Sequence, residues 1–224
     1  MSRVEHIAEG VTLYLGDCRE IVPGLPDTFA AVVTDPPYGL GEKWQGGRRW
    51  RLHHEDGMGW DANTVEYVTG IPSIAPDAII WGGHLYDLPP KRGWLVWDKI
   101  VRNFTSGVME FAWTTLDQPI KAINFANGEL ASEGKFHPTQ KPLPVMRWCI
   151  QQLPNNHGAV LDPFMGSGTT GVAAVEMGRP FVGIEIDSKH FDTALRRIDA
   201  ATKQQDMFIA KPKPPKQLTL LDQR

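Results

Sequence analysis

The run Thr34-Asp35-Pro36-Pro37-Tyr38 sets a carboxylate, two prolines and a phenol ring side by side, after the apolar segment Phe29–Val33 and before Gly39. Proline fixes φ and has no backbone N–H, so this stretch is stiff and offers carbonyl acceptors. With the Asp35 carboxylate, those acceptors can take the N–H protons of an exocyclic amino group on a planar ring, and Tyr38 can stack on that ring. The same residues also suit a plain proline turn leaving a strand. The rest of the chain has to decide between the two.

A second run bears on that decision: Leu161-Asp162-Pro163-Phe164-Met165-Gly166-Ser167-Gly168-Thr169-Thr170-Gly171. It reads as a strand, a tight glycine turn and the start of a helix. Glycines allow the turn and let a ligand approach the backbone, and the helix start offers free N–H groups. The next apolar segment, Phe181–Ile184, ends in Glu185, a carboxylate suited to ribose hydroxyls. Together these describe a nucleoside-containing cofactor at the C-terminal edge of a parallel sheet. Gly166, Gly168 and Gly171 also satisfy the dinucleotide pattern G-x-G-x-x-G, which makes a nicotinamide oxidoreductase the rival reading. Too little chain follows this loop for a second nucleotide-binding half, and a hydride-transfer enzyme gives Asp35–Tyr38 no role.

The elements that must carry these residues are short apolar runs with polar residues at their C-terminal ends. Val11–Leu15 ends at Gly16-Asp17, Ala30–Val33 at Asp35, Ala78–Trp81 at Gly82-Gly83 and Gly93–Trp97 at Asp98-Lys99. Ala159–Leu161 ends at Asp162 and Phe181–Ile184 at Glu185, while Val108–Trp113 could form a hairpin at the sheet edge with the run before it. Continuous apolar runs of this kind mark strands buried on both faces of a parallel α/β sheet. Helices are expected over 143–153, 169–177 and 188–201, the last with Phe191, Ala194, Leu195 and Ile198 on one face. A single domain is expected over 1–210, followed by an extended solvated tail over 211–224.

The 224 residues are 42% hydrophobic, with a formal net charge of −3, which excludes a surface that is basic all over but not a local basic patch. Two cysteines, Cys18 and Cys149, make neither a disulfide framework nor a metal cluster, and no run approaches the length of a membrane span. A soluble protein of a reducing, cytoplasmic compartment is expected.

With both motifs in hand, the chain resembles the β class of amino-group DNA methyltransferases, which use S-adenosylmethionine. Asp35-Pro36-Pro37-Tyr38 resembles their catalytic motif, and Asp162–Thr170 their methionine-binding loop. Gly183-Ile184-Glu185-Ile186-Asp187 is similar to their ribose-binding strand end, and Leu15-Gly16-Asp17-Cys18 to the strand end near the adenine of the cofactor. Phe136-His137-Pro138-Thr139-Gln140-Lys141-Pro142 is similar to the segment over the methionine end. In this order, catalytic motif first and cofactor loop late, the resemblance implies a circularly permuted Rossmann-like methyltransferase fold. Its sheet would have seven strands, parallel except for one, flanked by helices. The implied catalytic residues are Asp35, Pro36, Pro37 and Tyr38. The implied cofactor-binding residues are Asp17, Cys18, Asp35, His137, Thr139, Gln140, Lys141, Asp162, Phe164, Gly166, Ser167, Gly168, Thr169, Thr170, Glu185 and Ile186. No metal is implied. Asp rather than Ser at position 35 favours adenine N6 over cytosine N4 as the target, and methylation of RNA or single strands, or a non-catalytic DNA-binding relative, stays open.

A base inside a duplex is out of reach, so the target would be flipped out onto Tyr38. The segment Lys43-Trp44-Gln45-Gly46-Gly47-Arg48-Arg49-Trp50-Arg51-Leu52-His53-His54 is the local basic patch. Its cations can bind phosphates or read guanine edges, and its tryptophans can stack on bases. A solvated basic loop with its tryptophans against the body is the plainer alternative. Lys43, Trp44, Arg48, Arg49, Trp50, Arg51, His53 and His54 are therefore the expected DNA contacts. Only about 114–135 is available for a recognition region, so help from the loop at 40–60 or from a second subunit of a homodimer is expected. In the tail, Gln217–Leu221 is similar to the glutamine–leucine motif that docks bacterial proteins on the replication sliding clamp; a plain terminus is the alternative.

Overall fold

All seven expected strands form, and one more joins the sheet at each edge. In chain order they are β1 Arg3–Ala8, β2 Val11–Leu15, β3 Phe29–Thr34, β4 Asp77–Trp81, β5 Trp94–Asp98, β6 Met109–Thr114, β7 Lys121–Asn124, β8 Ala159–Asp162 and β9 Phe181–Glu185. The helices are α1 Cys18–Ile21, α2 Leu143–Gln152, α3 Thr169–Glu176 and α4 Ser188–Phe208. This is a computed structural model that describes residues 3–26, 28–38, 66–100, 107–126, 140–154 and 158–208. The basic segment with Lys43 to His54, the residues His137 and Thr139, and the tail with Gln217–Leu221 lie outside the described residues.

The sheet order is β1-β2-β9-β8-β3-β4-β6-β5-β7. From β2 to β5 this is the expected seven-stranded core, in which β6 alone runs antiparallel, to β4 on one side and β5 on the other. The sheet has nine strands rather than seven because β1 adds an antiparallel edge on β2, and β7 a parallel one on β5. The β5–β6 pair is therefore not the sheet edge, and part of the segment expected for recognition, 114–135, is spent on β7.

The central strands read as unbroken apolar runs because both faces are covered. In β3, Ala31 and Val33 face one core with Ile79 and Trp81 of β4, while Val32 faces the other with Ala78 and Ile80. Helices α2, α3 and α4 fill the first core through Val145, Met146, Ile150, Val172, Ala173, Phe191, Ala194 and Ile198. The second is closed by Cys18, Val68 and Ile71, with Leu161 and Ile184 from the sheet. Helix α4 runs to Phe208, past the expected end near residue 201. No helix among the described residues is long and apolar enough to cross a membrane.

Parallel strands bring their C-terminal ends to one edge. Asp17, Asp35, Gly82, Lys99, Asp162 and Glu185 all follow or close strands that run in the same direction. One strand orientation thus gathers every polar strand end that the sequence marks.

Candidate active site

The two sequence motifs meet where β3 and β8 lie side by side. Thr34, the last residue of β3, donates its hydroxyl to Asp162 Oδ1 at the end of β8, 2.7 Å away and fully buried. Asp162 Oδ1 also accepts the Phe164 N–H at 3.1 Å, and Thr170 hydrogen-bonds the same carboxyl from the start of α3. Burial pushes this carboxyl up to about 6, with the donors from Thr170, Thr34 and Phe164 opposing the shift.

The glycine turn lies between β8 and α3. Gly166 and Gly168 both have positive φ, and a Cβ on Gly168 would stand 2.8 Å from Ala194 Cβ, so loop and α4 are in close contact there. Ser167, Thr169 and Thr170 are buried. Arg197 reaches from α4 into this turn, donating to the Ser167 carbonyl at 2.6 Å, the Ser167 hydroxyl at 3.0 Å and Thr169 Oγ1 at 3.1 Å. Gln140 accepts from the Ser167 hydroxyl at 3.3 Å, which brings its segment onto the loop.

Glu185 closes β9 beside that turn. Its Oε2 accepts the Gly166 N–H and its Oε1 the Asp187 N–H, each at 2.8 Å. Burial pushes its carboxyl up to about 7. Asp17 caps α1 and pairs with Arg19, and the Gly16 N–H donates to the Glu185 carbonyl at 2.8 Å, tying the ends of β2 and β9 together. Cys18 is buried in the second core, near Phe164 and Tyr67. Phe164 meets Tyr67 edge-on at 6.5 Å, whereas Ile186 is exposed beyond the strand end.

On the catalytic side the Asp-Pro-Pro-Tyr run folds back on itself. The Tyr38 hydroxyl donates to Asp35 Oδ1 at 2.7 Å, and Lys141 Nζ donates to Asp35 Oδ2 at 2.6 Å and to the Tyr38 hydroxyl at 3.0 Å. Tyr86 donates its hydroxyl to the Pro37 carbonyl, so one of the rigid acceptors holds the motif in place. The Tyr38 ring lies against Gly82, which has a left-handed φ of 66° after β4. Lys141 also sits over two rings, 5.2 Å from the Tyr38 centroid and 5.4 Å from that of Trp81.

Lys141 does not serve Asp35 alone. Glu110, at the start of β6, forms ion pairs with Lys141 Nζ at 3.0 Å and with Lys99 Nζ at 2.6 Å. Burial raises the Asp35 carboxyl above its usual range, with Lys141 opposing; burial pushes Glu110 the same way, but Lys141 and Lys99 outweigh it and hold Glu110 low. Burial disfavours the Lys141 charge, yet Asp35 and Glu110 together keep its ammonium above the ordinary lysine value.

Of the residues singled out in the sequence, Asp35, Tyr38 and Lys141 form one cluster, and Asp162, Gly166, Ser167, Gly168, Thr169, Thr170 and Glu185 line the adjoining loop. Lys141 was expected against the cofactor; here its ammonium is bound to Asp35. Glu110, Tyr86 and Arg197 carry no motif in the sequence, and Gly82 and Lys99 are marked there only as strand ends. Glu110 stands in Met109-Glu110-Phe111 as an ordinary polar position of an alternating strand, and only the antiparallel placement of β6 turns it to the site.

A family model described as DNA methylase matches residues 79–196, which takes in Glu110, Lys141, the glycine loop and Glu185. The chain is similar to the Type II methyltransferase M.ScaI of Streptomyces caespitosus, 27% identical over an alignment of 254 positions, gaps included, that covers 85% of this chain and 82% of the relative. It is 44% identical over 84 residues to the DNA adenine methyltransferase YhdJ of Escherichia coli K12, 38% of this chain and 29% of that one. The solved M1.HpyAVI–SAM complex shares the fold, with a TM-score of 0.56 at 22% identity over 83% of this chain and 98% of the other. With more than half of its length on the family model, the chain belongs to the DNA methylase family.

Proposed function

We propose that the protein is a methyltransferase that acts on adenine N6 of a flipped-out base in duplex DNA, with S-adenosylmethionine as methyl donor. The observation that carries this reading is the 2.7 Å bond from Thr34 to Asp162. It joins the strand end that bears Asp35 to the strand end that bears the glycine loop, so amino-group acceptor and cofactor loop share one edge.

The residues present fit that cofactor. Glu185 is a carboxylate that takes the Gly166, Asp187 and Ile186 N–H groups, and of its four lone-pair sites one remains for a ribose hydroxyl. The buried Tyr67 hydroxyl has no partner among the described residues and lies near Asp17, Cys18 and Phe164, where an adenine is expected. Asp162, Phe164, Gly166 to Thr170, Gln140, Glu185 and Ile186 would hold the molecule. When bound, it supplies an electrophilic methyl group.

The chain's own part is orientation. The adenine amino nitrogen is a weak nucleophile because its lone pair is delocalised into the ring. The free lone pairs of Asp35 and the Pro36 carbonyl would accept its N–H protons and favour a pyramidal nitrogen with a localised lone pair. Tyr38 would support the ring. These are preorganised acceptors in a site shielded from water, the kind of contribution that costs no rearrangement during reaction. Asp35, and the adenine enzyme YhdJ among the relatives, support adenine over cytosine.

DNA contact through the segment from Lys43 to His54, pairing of two copies, and clamp docking through Gln217–Leu221 complete the proposal. Light scattering tests the pairing, and clamp binding with and without residues 211–224 tests the docking. The central test is incubation with unmethylated duplex DNA and labelled S-adenosylmethionine, followed by digestion to nucleosides. Label in N6-methyladenine is expected. Label in N4-methylcytosine overturns the choice of base, label only in RNA overturns the substrate, and no transfer to any nucleic acid overturns the enzyme.

A further inference from the structure

Asp35 and Lys141 already form a neutral buried pair. A second pair, Glu110 and Lys99, is added behind them, giving the row Asp35–Lys141–Glu110–Lys99 with contacts of 2.6, 3.0 and 2.6 Å. Lys141 and Lys99 side chains are each 5% exposed, and Glu110 and Asp35 about a fifth exposed. Taking two further charges out of water is costly, and the inner pair does not need them for neutrality. What the outer pair changes is the division of Lys141 between two carboxylates.

The backbone fixes this arrangement. Asp98 pairs with Met109 across β5 and β6, and the Lys99 N–H donates to the Val108 carbonyl at 3.0 Å, so Lys99 and Glu110 leave adjoining strand ends in register. Because β6 is antiparallel, its first residues rather than its last reach the edge where Asp35 lies.

We propose that Glu110 and Lys99 are positioning residues for the methyl-transfer site: they set how strongly Lys141 holds Asp35, and so how available the Asp35 carboxylate is to the target amino group. This rests on the function proposed above. The groups around Lys141 are Asp35 from β3, Tyr38 after it, the Trp81 ring from β4, Glu110 from β6 and Cys149 from α2. Asp35 also feels Glu110, and Asp162 of β8 lies within reach of its charge. Tyr86 adds to the field at Tyr38.

The two outer residues push Asp35 in opposite directions. Without the Glu110 charge, Lys141 turns wholly to Asp35, which then ionises more easily but is held more tightly. Without the Lys99 charge, Glu110 draws Lys141 away, and Asp35 is harder to ionise. The test uses the full chain, unmethylated genomic DNA and tritiated S-adenosylmethionine, with Glu110→Gln, Lys99→Met and the double variant. Each single variant should lose about tenfold in kcat at about pH 7, Glu110→Gln because Lys141 holds the ionised Asp35 more tightly and Lys99→Met because Asp35 is harder to ionise. S-adenosylmethionine binding by calorimetry should stay within about twofold, because the loss lies in the chemical step. The acid limb of the kcat profile should move down for Glu110→Gln and up for Lys99→Met, and raising the pH should rescue only Lys99→Met. The double variant, neutral again, should recover most of the rate. Limbs that stay put, shift the same way, or losses that add in the double variant overturn the proposal. If wild type transfers no methyl group, the proposed function fails by itself, and the carbon-13 titration of the Asp35 carboxyl in the same variants judges the relay by the same opposed shifts.

Discussion

Gly82→Ala tests the catalytic side of the site without touching a polar group. A Cβ built on Gly82 stands 2.4 Å from Tyr38 Cε1, 2.7 Å from Cδ1 and 2.9 Å from Cζ. Carbon atoms settle at about 3.5 Å or more, so the ring has to retreat by about 1 Å. A shift of that size strains the 2.7 Å bond from Tyr38 to Asp35, since such bonds weaken beyond about 3 Å. A displacement of that size at a reacting centre costs about a hundredfold in rate, and this is the expected fall in kcat. Position 82 has a φ of 66°, and an alanine held in that region costs about 1–2 kcal/mol, which for a domain of this size lowers Tm by about 2–8 °C. The assay is transfer of labelled methyl to unmethylated DNA at saturating cofactor, beside a thermal melt and a cofactor titration. The cofactor affinity should hold. A variant with the expected loss in Tm but a kcat within about threefold of wild type would refute the idea that the position of Tyr38 limits the rate.

Three further outcomes are expected. Affinity for S-adenosylmethionine should rise about tenfold from about pH 6 to about pH 8, because ribose hydroxyls bind the ionised form of a Glu185 carboxyl that burial has pushed up to about 7; calorimetry showing flat or falling affinity contradicts the role given to Glu185. Asp162 is raised from 3.8 to about 6, so the folded state holds a proton that the unfolded chain has released, and stability falls as pH rises through that window, by at most about 3 kcal/mol. Asp162→Asn, which keeps an acceptor for Thr34 and Phe164, should flatten that dependence in melts at pH values on either side of the window; an unchanged slope assigns it elsewhere. Arg197→Met removes a cation from the Ser167 carbonyl and two hydroxyls of the glycine turn, and should weaken cofactor binding about tenfold with kcat at saturation unchanged; equal loss in kcat would place Arg197 in the chemical step instead.

The sequence is most readable where burial is two-sided. Residues such as Phe29–Val33 and Ala78–Trp81 are apolar on both faces, so each strand appears as an unbroken run with its polar residue at the end. The edges lack that signature. Strand β1 alternates exposed and partly buried residues, and Lys121–Asn124 is short and mostly exposed. Asp35, Tyr38, the glycine turn and Glu185 stand out because their residue types are unusual in series. Glu110 and Arg197 do not, since a charged residue on a strand or a helix is ordinary until its partner is known. Their partners come from distant parts of the chain, and only the order of strands in space discloses them.

The late position of β8 and β9 has a consequence for biosynthesis. Strands β2 and β3 follow one another in sequence, yet β9 and β8 lie between them in the sheet. As the chain leaves the ribosome, the β1–β2 hairpin has no sheet to join, and Ala31 and Val32 in β3 have no neighbour on that side, until β8 and β9 are made. Pairing between residues so far apart closes slowly and leaves strand edges open meanwhile. The nascent protein thus carries Asp35 long before it carries the loop that would bring a methyl group to it, and the sheet between β2 and β3 stays open until β8 and β9 are available.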